Sequence, residues 1–350
     1  MVVGWGDENM GVFIQAKDMR AQKRENLVEV IPLPMPYVVY IEPTNACNFK
    51  CAFCPTGDPD LLRKVGRKTA TMDLPLFKKV IDEIKASGEK IRLLSLYKDG
   101  EPLLNPHFTD MVSYARDSGI TSRIWTKTNG ALLNPELNRK IVDSGLTWIG
   151  ISVEAINEQK YFEIAGVRLD YNKFKENIAH LYSIKKDLHV YIKIADTNLT
   201  DEEKQKFFDD FSPICDSYAI EKLMGWSYSS VKDFTLGTNP DTYDGLAFTE
   251  KDVCPYPFYV MAVNADGSVS LCGNDWSHAT VVGNVKEQSV TEIWKGEALF
   301  QFRKMFLEGR RCENKACGDC YYLKIVPDNI DCHRSEIMKN LIAERCDVNE

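Results

Sequence analysis

The sequence contains no apolar run that approaches the about 20 residues a membrane-spanning helix requires. Its first residues, Met1 to Asp7, show no basic region followed by an apolar core, so we expect no secretory signal peptide. Positive charge is not in excess either. The formal net charge of −8 disfavours nucleic acid as the main partner, because phosphate binding needs a basic face.

Internal repeats and low-complexity tracts are also absent. With 350 residues, 44% hydrophobic and 27% charged, the composition predicts a soluble globular protein with one large and one small domain. Eleven cysteines without an export signal do not indicate a set of disulfides. Three of them lie at 47–54 and seven at or beyond Cys254, which indicates two cysteine-bearing modules. Cys215 stands alone, and we expect a buried structural thiol there, or a hydrogen-atom donor if it points into a lumen.

The first module contains Cys47, Cys51 and Cys54 in the spacing C-x3-C-x2-C, directly after the apolar run 37–41. Three thiolates on a loop that leaves a strand can hold three irons of a [4Fe–4S] cluster. No fourth cysteine lies nearby, so one iron would keep open coordination sites for a small molecule. A structural zinc site and buried free thiols are the alternatives. Because such clusters are sensitive to oxygen, we expect the reducing cytoplasm.

From Tyr37 onward, strand-like and helix-like segments alternate six times, which predicts parallel strands with helices outside. The fold class is therefore α/β: a partial (β/α)6 barrel of the TIM type, with its chemistry at the carboxyl ends of the strands. Gly88, Gly119 and Gly145 each stand where a helix should end. The predicted strands are 37–42, 91–97, 122–128, 147–153, 189–194 and 217–223, and the predicted helices are 74–86, 108–118, 135–144, 171–184 and 201–211.

The predicted division of the chain is an N-terminal arm at 1–36, the barrel at 37–224, a connector at 225–253, a cysteine-rich domain at 254–334 and a tail at 335–350. In the cysteine-rich domain, 260–263 and 268–271 predict a hairpin turning at Gly267. Such a hairpin brings the cysteines at its outer ends, Cys254 and Cys272, within range of one another. Four thiolates there suit zinc as well as a cluster.

The C-x3-C-x2-C motif resembles that of the radical S-adenosylmethionine (SAM) superfamily, and the C-terminal cysteines resemble the SPASM and twitch extensions of that superfamily. The resemblance implies SAM and a [4Fe–4S] cluster as cofactors, with a reductant such as flavodoxin or ferredoxin. It further implies one auxiliary [4Fe–4S] cluster on Cys254, Cys272, Cys317 and Cys320, because the short-spaced cysteine pair of a full SPASM region is missing. The remaining cysteines could replace a ligand, build a second cluster or be plain thiols; they are Cys312, Cys332 and Cys346.

The same resemblance implies contacts to SAM from the strand ends. Asp99-Gly100-Glu101-Pro102 resembles the Gly-Gly-Glu motif that holds the SAM amino group, with Asp99 in place of the first glycine; a plain turn is the alternative. Phe53 stands where an aromatic residue packs near the adenine, or in the core. Five polar residues at the ends of the third and fourth predicted strands match the superfamily's contacts to the ribose and carboxylate of SAM, with strand capping as the alternative; they are Thr126, Thr128, Asn129, Ser152 and Glu154. Arg168 and Lys193 are weaker candidates for contacts to an anion, with surface ion pairs as the alternative.

Members with this build include an aminocyclitol dehydrogenase, neomycin epimerase and sulfatase-maturating enzymes. They imply cleavage of SAM to a 5′-deoxyadenosyl radical that abstracts hydrogen from an unactivated carbon. We expect oxidation or epimerisation of a carbinol carbon in a sugar, an aminocyclitol or a similar polar small molecule, with the auxiliary cluster accepting an electron. The alternatives are modification of a peptide side chain, and a non-enzymatic iron–sulfur scaffold or electron carrier.

Overall fold

A computed structural model describes residues 10–14, 25–228, 230–237 and 250–347. Its strands form one ten-stranded sheet in the order β1-β7-β6-β5-β4-β3-β2-β8-β9-β10. The strands are β1 Val12–Phe13, β2 Val38–Ile41, β3 Leu93–Ser95, β4 Ile124–Thr128, β5 Trp148–Val153, β6 His189–Asp196, β7 Ser217–Lys222, β8 Val260–Val263, β9 Ser268–Ser270 and β10 Val281–Asn284.

Helices connect the strands. They are α1 Leu27–Val30, α2 Pro59–Lys64, α3 Leu74–Ala86, α4 Phe108–Ser118, α5 Pro135–Ser144, α6 Glu158–Ala165, α7 Tyr171–Ile184, α8 Asp201–Phe211, α9 Val290–Trp294, α10 Glu297–Leu307, α11 Lys315–Gly318 and α12 Arg334–Asp347. The five helices expected from the sequence in the barrel have the bounds of α3, α4, α5, α7 and α8. The short helices α2 and α6 were not predicted, since six or eight residues carry too little periodicity to be recognised.

The six strands β2 to β7 run parallel, each paired with the next, with helices on the outside of the sheet. This is the predicted partial TIM-type barrel. The amphipathic pattern explains the outer layer: α3 buries Phe77, Val80, Ile81 and Ile84 and exposes its charged face. Gly119 ends α4 with φ 70°, in the left-handed region that glycine adopts at no steric cost.

The C-terminal hairpin is confirmed, because β8 and β9 pair antiparallel. It does not form a sheet of its own. Strand β8 pairs parallel with β2 over four residues, from Val38 opposite Val260 to Ile41 opposite Val263. The sheet therefore continues across the predicted boundary at 225–253, which places the cysteines of the second module beside the first barrel strand.

Both ends of the described chain pack on this sheet. In the predicted arm, β1 adds to the free edge of β7, and Leu27 of α1 is buried. In the predicted tail, Ile337 and Leu341 of α12 are buried in the main core. Cys215, just before β7, is fully buried, as expected of a structural thiol. Among the described residues, no helix is both long and apolar enough to cross a membrane.

Candidate active site

A cavity of about 340 Å³ lies at the carboxyl ends of the barrel strands. Its wall includes all three cysteines of the C-x3-C-x2-C motif, on the loop that follows β2. It also includes most of the other residues predicted to bind SAM: Phe53, Gly100, Glu101, Thr128, Asn129, Ser152, Glu154 and Lys193. The fold therefore gathers residues from five strand ends around three thiols.

The cysteine loop is held by backbone contacts to α6. The amides of Lys50 and Ala52 donate to the carbonyls of Ala165 (2.8 Å) and Ile164 (2.9 Å), at the end of that helix. Gly57 passes so close to the loop that a Cβ there would lie 2.4 Å from the carbonyl oxygen of Cys51. These contacts fix the direction in which the three thiols leave the loop.

The chemistry of the three thiols fits a metal cluster. Burial raises the pKa of Cys47 to about 12 and of Cys54 to about 11, and raises that of Cys51 further, so thiolates there require cationic partners. Tetrahedral zinc with Zn–S bonds of about 2.3 Å would place its sulfurs about 3.8 Å apart. Among the described residues, no three cysteine sulfurs lie within 4.8 Å of one another. The described thiols are therefore not arranged as a tetrahedral zinc site.

Glu101 is 2% exposed and ties two strand ends together. One carboxylate oxygen accepts from the hydroxyl of Thr128 (2.7 Å) and the amide of Leu103 (2.9 Å), and the other from the amide of Asn129 (2.7 Å). Burial raises its pKa, while the three hydrogen bonds lower it. A carboxylate offers about four acceptor sites, so one remains to face the cavity.

Gly100 has a packing role. A Cβ on this residue would lie 2.2 Å from the carbonyl oxygen of Thr44 and 2.5 Å from that of Ala46. The backbone that approaches this glycine most closely is therefore that of the cysteine loop. Glycine is required here to bring the Asp99-Gly100-Glu101 segment against the cysteines.

Asn129 connects the strand end to the cysteine loop. Its side-chain amide donates to Asn48 (2.7 Å) and lies 3.9 Å from the sulfur of Cys47. Glu154 is 7% exposed and makes no side-chain hydrogen bond to a described residue. Burial raises its pKa to about 7, although Lys193 lowers it. Ser152 lies opposite Lys193 on the neighbouring strand.

Two predicted residues are placed elsewhere. Thr126 is buried and donates to the carbonyl of Leu96 (2.8 Å), which binds β4 to β3 and leaves the hydroxyl turned from the cavity. Arg168 is exposed and lies over the ring of Phe162, 5.5 Å from its centroid. Because α6 carries this segment to the outer surface, the structure does not bring Arg168 to the cavity. Lys193 is paired with Glu221 (2.6 Å) at the cavity wall.

A buried charged cluster beside Gly100 was not expected from the sequence. Lys98, with no exposed side-chain surface, pairs with Asp99 and donates to the carbonyl of Asp275 (2.9 Å). Arg67 lies 3.7 Å from the same Asp99 carboxylate. The two cations lower the pKa of Asp99 although burial raises it. The residue that replaces the first glycine of the Gly-Gly-Glu motif is thus the centre of an ion network.

Glu42 and His278 complete this cluster. Their ligand atoms and one oxygen of Asp99 lie within 4.8 Å of one another, and Asp99 Oδ1 and His278 Nε2 are buried without a hydrogen-bond partner among the described residues. Lys98 and Arg67 already balance the charges of Glu42 and Asp99. A divalent cation would be repelled by both, so we assign no metal to this group.

A second cavity lies beside the first. The four cysteines predicted to hold an auxiliary cluster line it together: Cys254, Cys272, Cys317 and Cys320. Burial raises the pKa of Cys254, Cys272 and Cys320 to about 12, and also raises that of Cys317. The remaining C-terminal cysteines, Cys312, Cys332 and Cys346, are exposed. The structure thus gathers one set of four thiols in this part of the described chain.

Several cavity residues were missed by sequence reasoning. Four cavity-lining aromatic or basic residues on the barrel side were not proposed: Tyr40, Tyr97, Lys98 and Lys127. Lys127 lies between Thr126 and Thr128 at the end of β4, and this position at a strand end was the available signal. On the side of the second module, Tyr256, Asn274 and Tyr322 reach the same cavity; nothing in the sequence shows that β8 pairs with β2, so these residues could not be placed.

Comparison with known families agrees with this arrangement. The model of the radical SAM superfamily matches residues 41–211, and the SPASM model, an iron–sulfur cluster-binding domain, matches residues 254–321. The chain therefore belongs to the radical SAM superfamily of enzymes and carries a SPASM domain. The predicted family and fold class are confirmed, and the two domains imply iron–sulfur clusters and SAM as cofactors.

Among individual proteins, the chain is similar to an AdoMet-dependent heme synthase of Methanosarcina barkeri (24% identity, covering 83% of this chain and 90% of that protein). It is also similar to the S-adenosyl-L-methionine-dependent 2-deoxy-scyllo-inosamine dehydrogenase of Niallia circulans (23% identity, covering 81% of this chain and 92% of that protein). Two solved structures share the fold. One is BtrN in complex with AdoMet and 2-DOIA, with 19% identity and a TM-score of 0.52, covering 82% of this chain and 93% of that chain. The other is Streptococcus suis SuiB bound to precursor peptide SuiA, with 14% identity and a TM-score of 0.61, covering 89% of this chain and 78% of that chain.

Proposed function

We propose that this radical SAM enzyme oxidises, or epimerises, a carbinol carbon of a sugar, an aminocyclitol or a similar polar small molecule. The observation that carries the proposal is the adjacency of the two thiol-lined cavities, which share part of their walls. SAM and the first cluster, when bound, supply the 5′-deoxyadenosyl radical that abstracts the hydrogen, and the auxiliary cluster supplies a one-electron acceptor for the oxidation. An acceptor built beside the radical site suits an oxidative outcome.

The residues around the three thiols would bind and orient SAM. Glu101, with one acceptor site left, would accept from the SAM ammonium, and its other hydrogen bonds hold it rigidly in place. Ser152 lies in β5 and Glu154 directly follows its end, and they would bind the ribose and carboxylate groups. Phe53 would pack on the adenine; its carbonyl accepts from the indole of Trp226 (3.0 Å), which fixes that part of the loop.

Two lysines of the cavity wall, Lys127 and Lys193, and the charged group beside them support a polar substrate. Lys193 and Glu221 form an ion pair at 2.6 Å, and the hydroxyl of Tyr191 donates to the same Glu221 (2.9 Å). Burial raises the pKa of Glu221, but Lys193 and Lys127 outweigh it and bring the pKa to about 2. The group therefore stays charged. Such fixed donors and acceptors suit hydroxyl groups of a sugar-like molecule better than an apolar ligand.

The similarity to an aminocyclitol dehydrogenase over nearly its whole length supports this substrate class. Modification of a peptide side chain is the second candidate, because the fold is also shared with SuiB in complex with a peptide. The two candidates differ in what must enter the cavity: a free polyol or one side chain of an extended chain.

The test uses protein reconstituted anaerobically with both clusters and reduced by dithionite or by flavodoxin. SAM is supplied with 2-deoxy-scyllo-inosamine, with a panel of sugars and aminocyclitols, or with a panel of synthetic peptides. The proposal expects 5′-deoxyadenosine and a product two mass units lighter, or a stereoisomer, only in a polyol arm. Products only in a peptide arm would overturn it. The triple variant Cys47→Ala/Cys51→Ala/Cys54→Ala is the control for adventitious cleavage of SAM.

A further inference from the structure

Three residues line both cavities. They are Tyr256, Asn274 and Tyr322, and in the described part of the chain no other residue is common to the two walls. We call this set the partition. These two rings and one amide therefore lie between the substrate side and the auxiliary cluster side.

Each partition residue follows a cluster ligand by two positions. Tyr256 follows Cys254, Asn274 follows Cys272 and Tyr322 follows Cys320. The chain therefore places each partition residue next to one of three of the four ligands. Solvent exposure beside such ligands is one of the factors that set the potential of a cluster.

Contacts with neighbouring residues hold Tyr256 and the Asn274 loop in place. Tyr256 packs edge-to-face on Tyr259, with centroids 5.7 Å apart and planes at 88°, and Tyr259 is 7% exposed. The carbonyl of Asn274 accepts from the hydroxyl of Ser227 at 2.5 Å. Next to it, a Cβ at Gly273 would lie 3.1 Å from the ring of Tyr40, so glycine lets this loop approach β2 closely.

We propose that the partition keeps the water of the substrate cavity away from the auxiliary cluster and forms the contact across which the substrate electron reaches it. This inference rests on the proposed function. In the oxidation, the neutral carbinol radical loses one electron and its hydroxyl proton to become a carbonyl. The electron would cross the partition to an oxidised [4Fe–4S] cluster held by the four cysteines, and the proton would leave to water on the substrate side.

The test measures water near the auxiliary cluster in the loaded, reduced protein. Deuterons are counted by pulsed EPR in D2O, and the midpoint potential of the cluster is titrated by EPR; the triple alanine variant of Cys47, Cys51 and Cys54 identifies the auxiliary signal. Tyr322→Ala should roughly double the deuteron modulation and move the potential upward, because solvent stabilises the more highly charged reduced cluster. Tyr322→Phe should restore both values.

Tyr321→Ala is the matched control, since the neighbouring ring lines neither cavity. Wild-type deuteron modulation and potential in Tyr322→Ala at full iron content would overturn the proposal, as would equal changes in Tyr321→Ala. If Tyr322→Ala fails to hold iron, Asn274→Ala is measured in the same way with the same two outcomes. Neither readout needs SAM cleavage or a substrate, so failure of the partition is distinguishable from failure of the proposed function.

Discussion

Replacing Lys98 by methionine should be one of the most costly single substitutions outside the cysteines. The Lys98 side chain has no exposed surface and pairs with Asp99, whose side chain is 1% exposed. Methionine keeps most of the volume and removes the charge, so the loss isolates electrostatics from packing. The Asp99 carboxylate would retain Arg67 at 3.7 Å as its remaining cation.

Breaking a buried ion pair by removing one partner costs about 3–5 kcal/mol, because the other charge stays buried without compensation. For a chain of this size such a loss lowers the melting temperature on the order of 10 °C. Thermal unfolding of cluster-loaded protein, followed anaerobically by circular dichroism, measures it. Lys140→Met is the control: its pair with Glu136 is exposed and screened by solvent, so its loss should barely change the melting temperature.

The double variant Lys98→Met/Asp99→Asn removes both charges and should recover at least half of the lost stability, because no uncompensated carboxylate is left. A melting temperature for Lys98→Met within the range of Lys140→Met would refute the reasoning. So would a double variant less stable than the single one, since the destabilisation would then come from lost packing.

The remaining predictions concern the two cysteine sites and the SAM contacts. Replacing any one of the four predicted auxiliary ligands by alanine should lower the iron content by about four atoms per chain; these are Cys254, Cys272, Cys317 and Cys320. The variants Cys312→Ala, Cys332→Ala and Cys346→Ala should keep the full iron content. Iron and sulfide assays measure this, and iron loss in the second group would contradict the ligand set. Glu101→Gln should lower the free energy of unfolding by about 1–3 kcal/mol and weaken SAM binding, because an amide donor would face the N–H of Asn129 or Leu103. Unchanged SAM affinity by equilibrium dialysis would argue against the assigned contact. Arg168→Gln should leave that affinity unchanged, since the side chain is exposed. Gly100→Ala should reduce the iron held by the three-cysteine site, because its Cβ would meet the carbonyls of Thr44 and Ala46; full iron content would show that the loop can relax.

The sequence predicts the barrel well because its signals are local. Apolar alternation marks each strand, and caps such as Gly119 and Gly145 mark the helix ends with φ 70° and 84°. The parallel pairing of β8 with β2 has no such signal, because it joins residues more than 200 positions apart through backbone hydrogen bonds. For that reason the partition and the ion network around Lys98 could not be inferred.

The predicted site residues also divide into those that a local signal places correctly and those that it does not. Those defined by position at a strand end, such as Glu101 and Ser152, line the cavity. Arg168 does not, because helix α6, too short to be recognised from periodicity, carries that segment to the outer surface. Thr126 does not line the cavity either, because it lies further from the end of β4 than Lys127 and Thr128 and its hydroxyl donates to the carbonyl of Leu96.

The proposed function requires that Cys47, Cys51 and Cys54 hold a cluster with an open iron that cleaves SAM. Its most direct test is chromatographic measurement of 5′-deoxyadenosine and methionine from anaerobically reconstituted protein incubated with SAM and dithionite. We expect equal amounts of both products from the wild-type protein and neither from the Cys47→Ala/Cys51→Ala/Cys54→Ala variant. A fully iron-loaded wild-type protein that leaves SAM intact, or a variant that cleaves it as well as the wild type, would show that these cysteines do not carry the reaction.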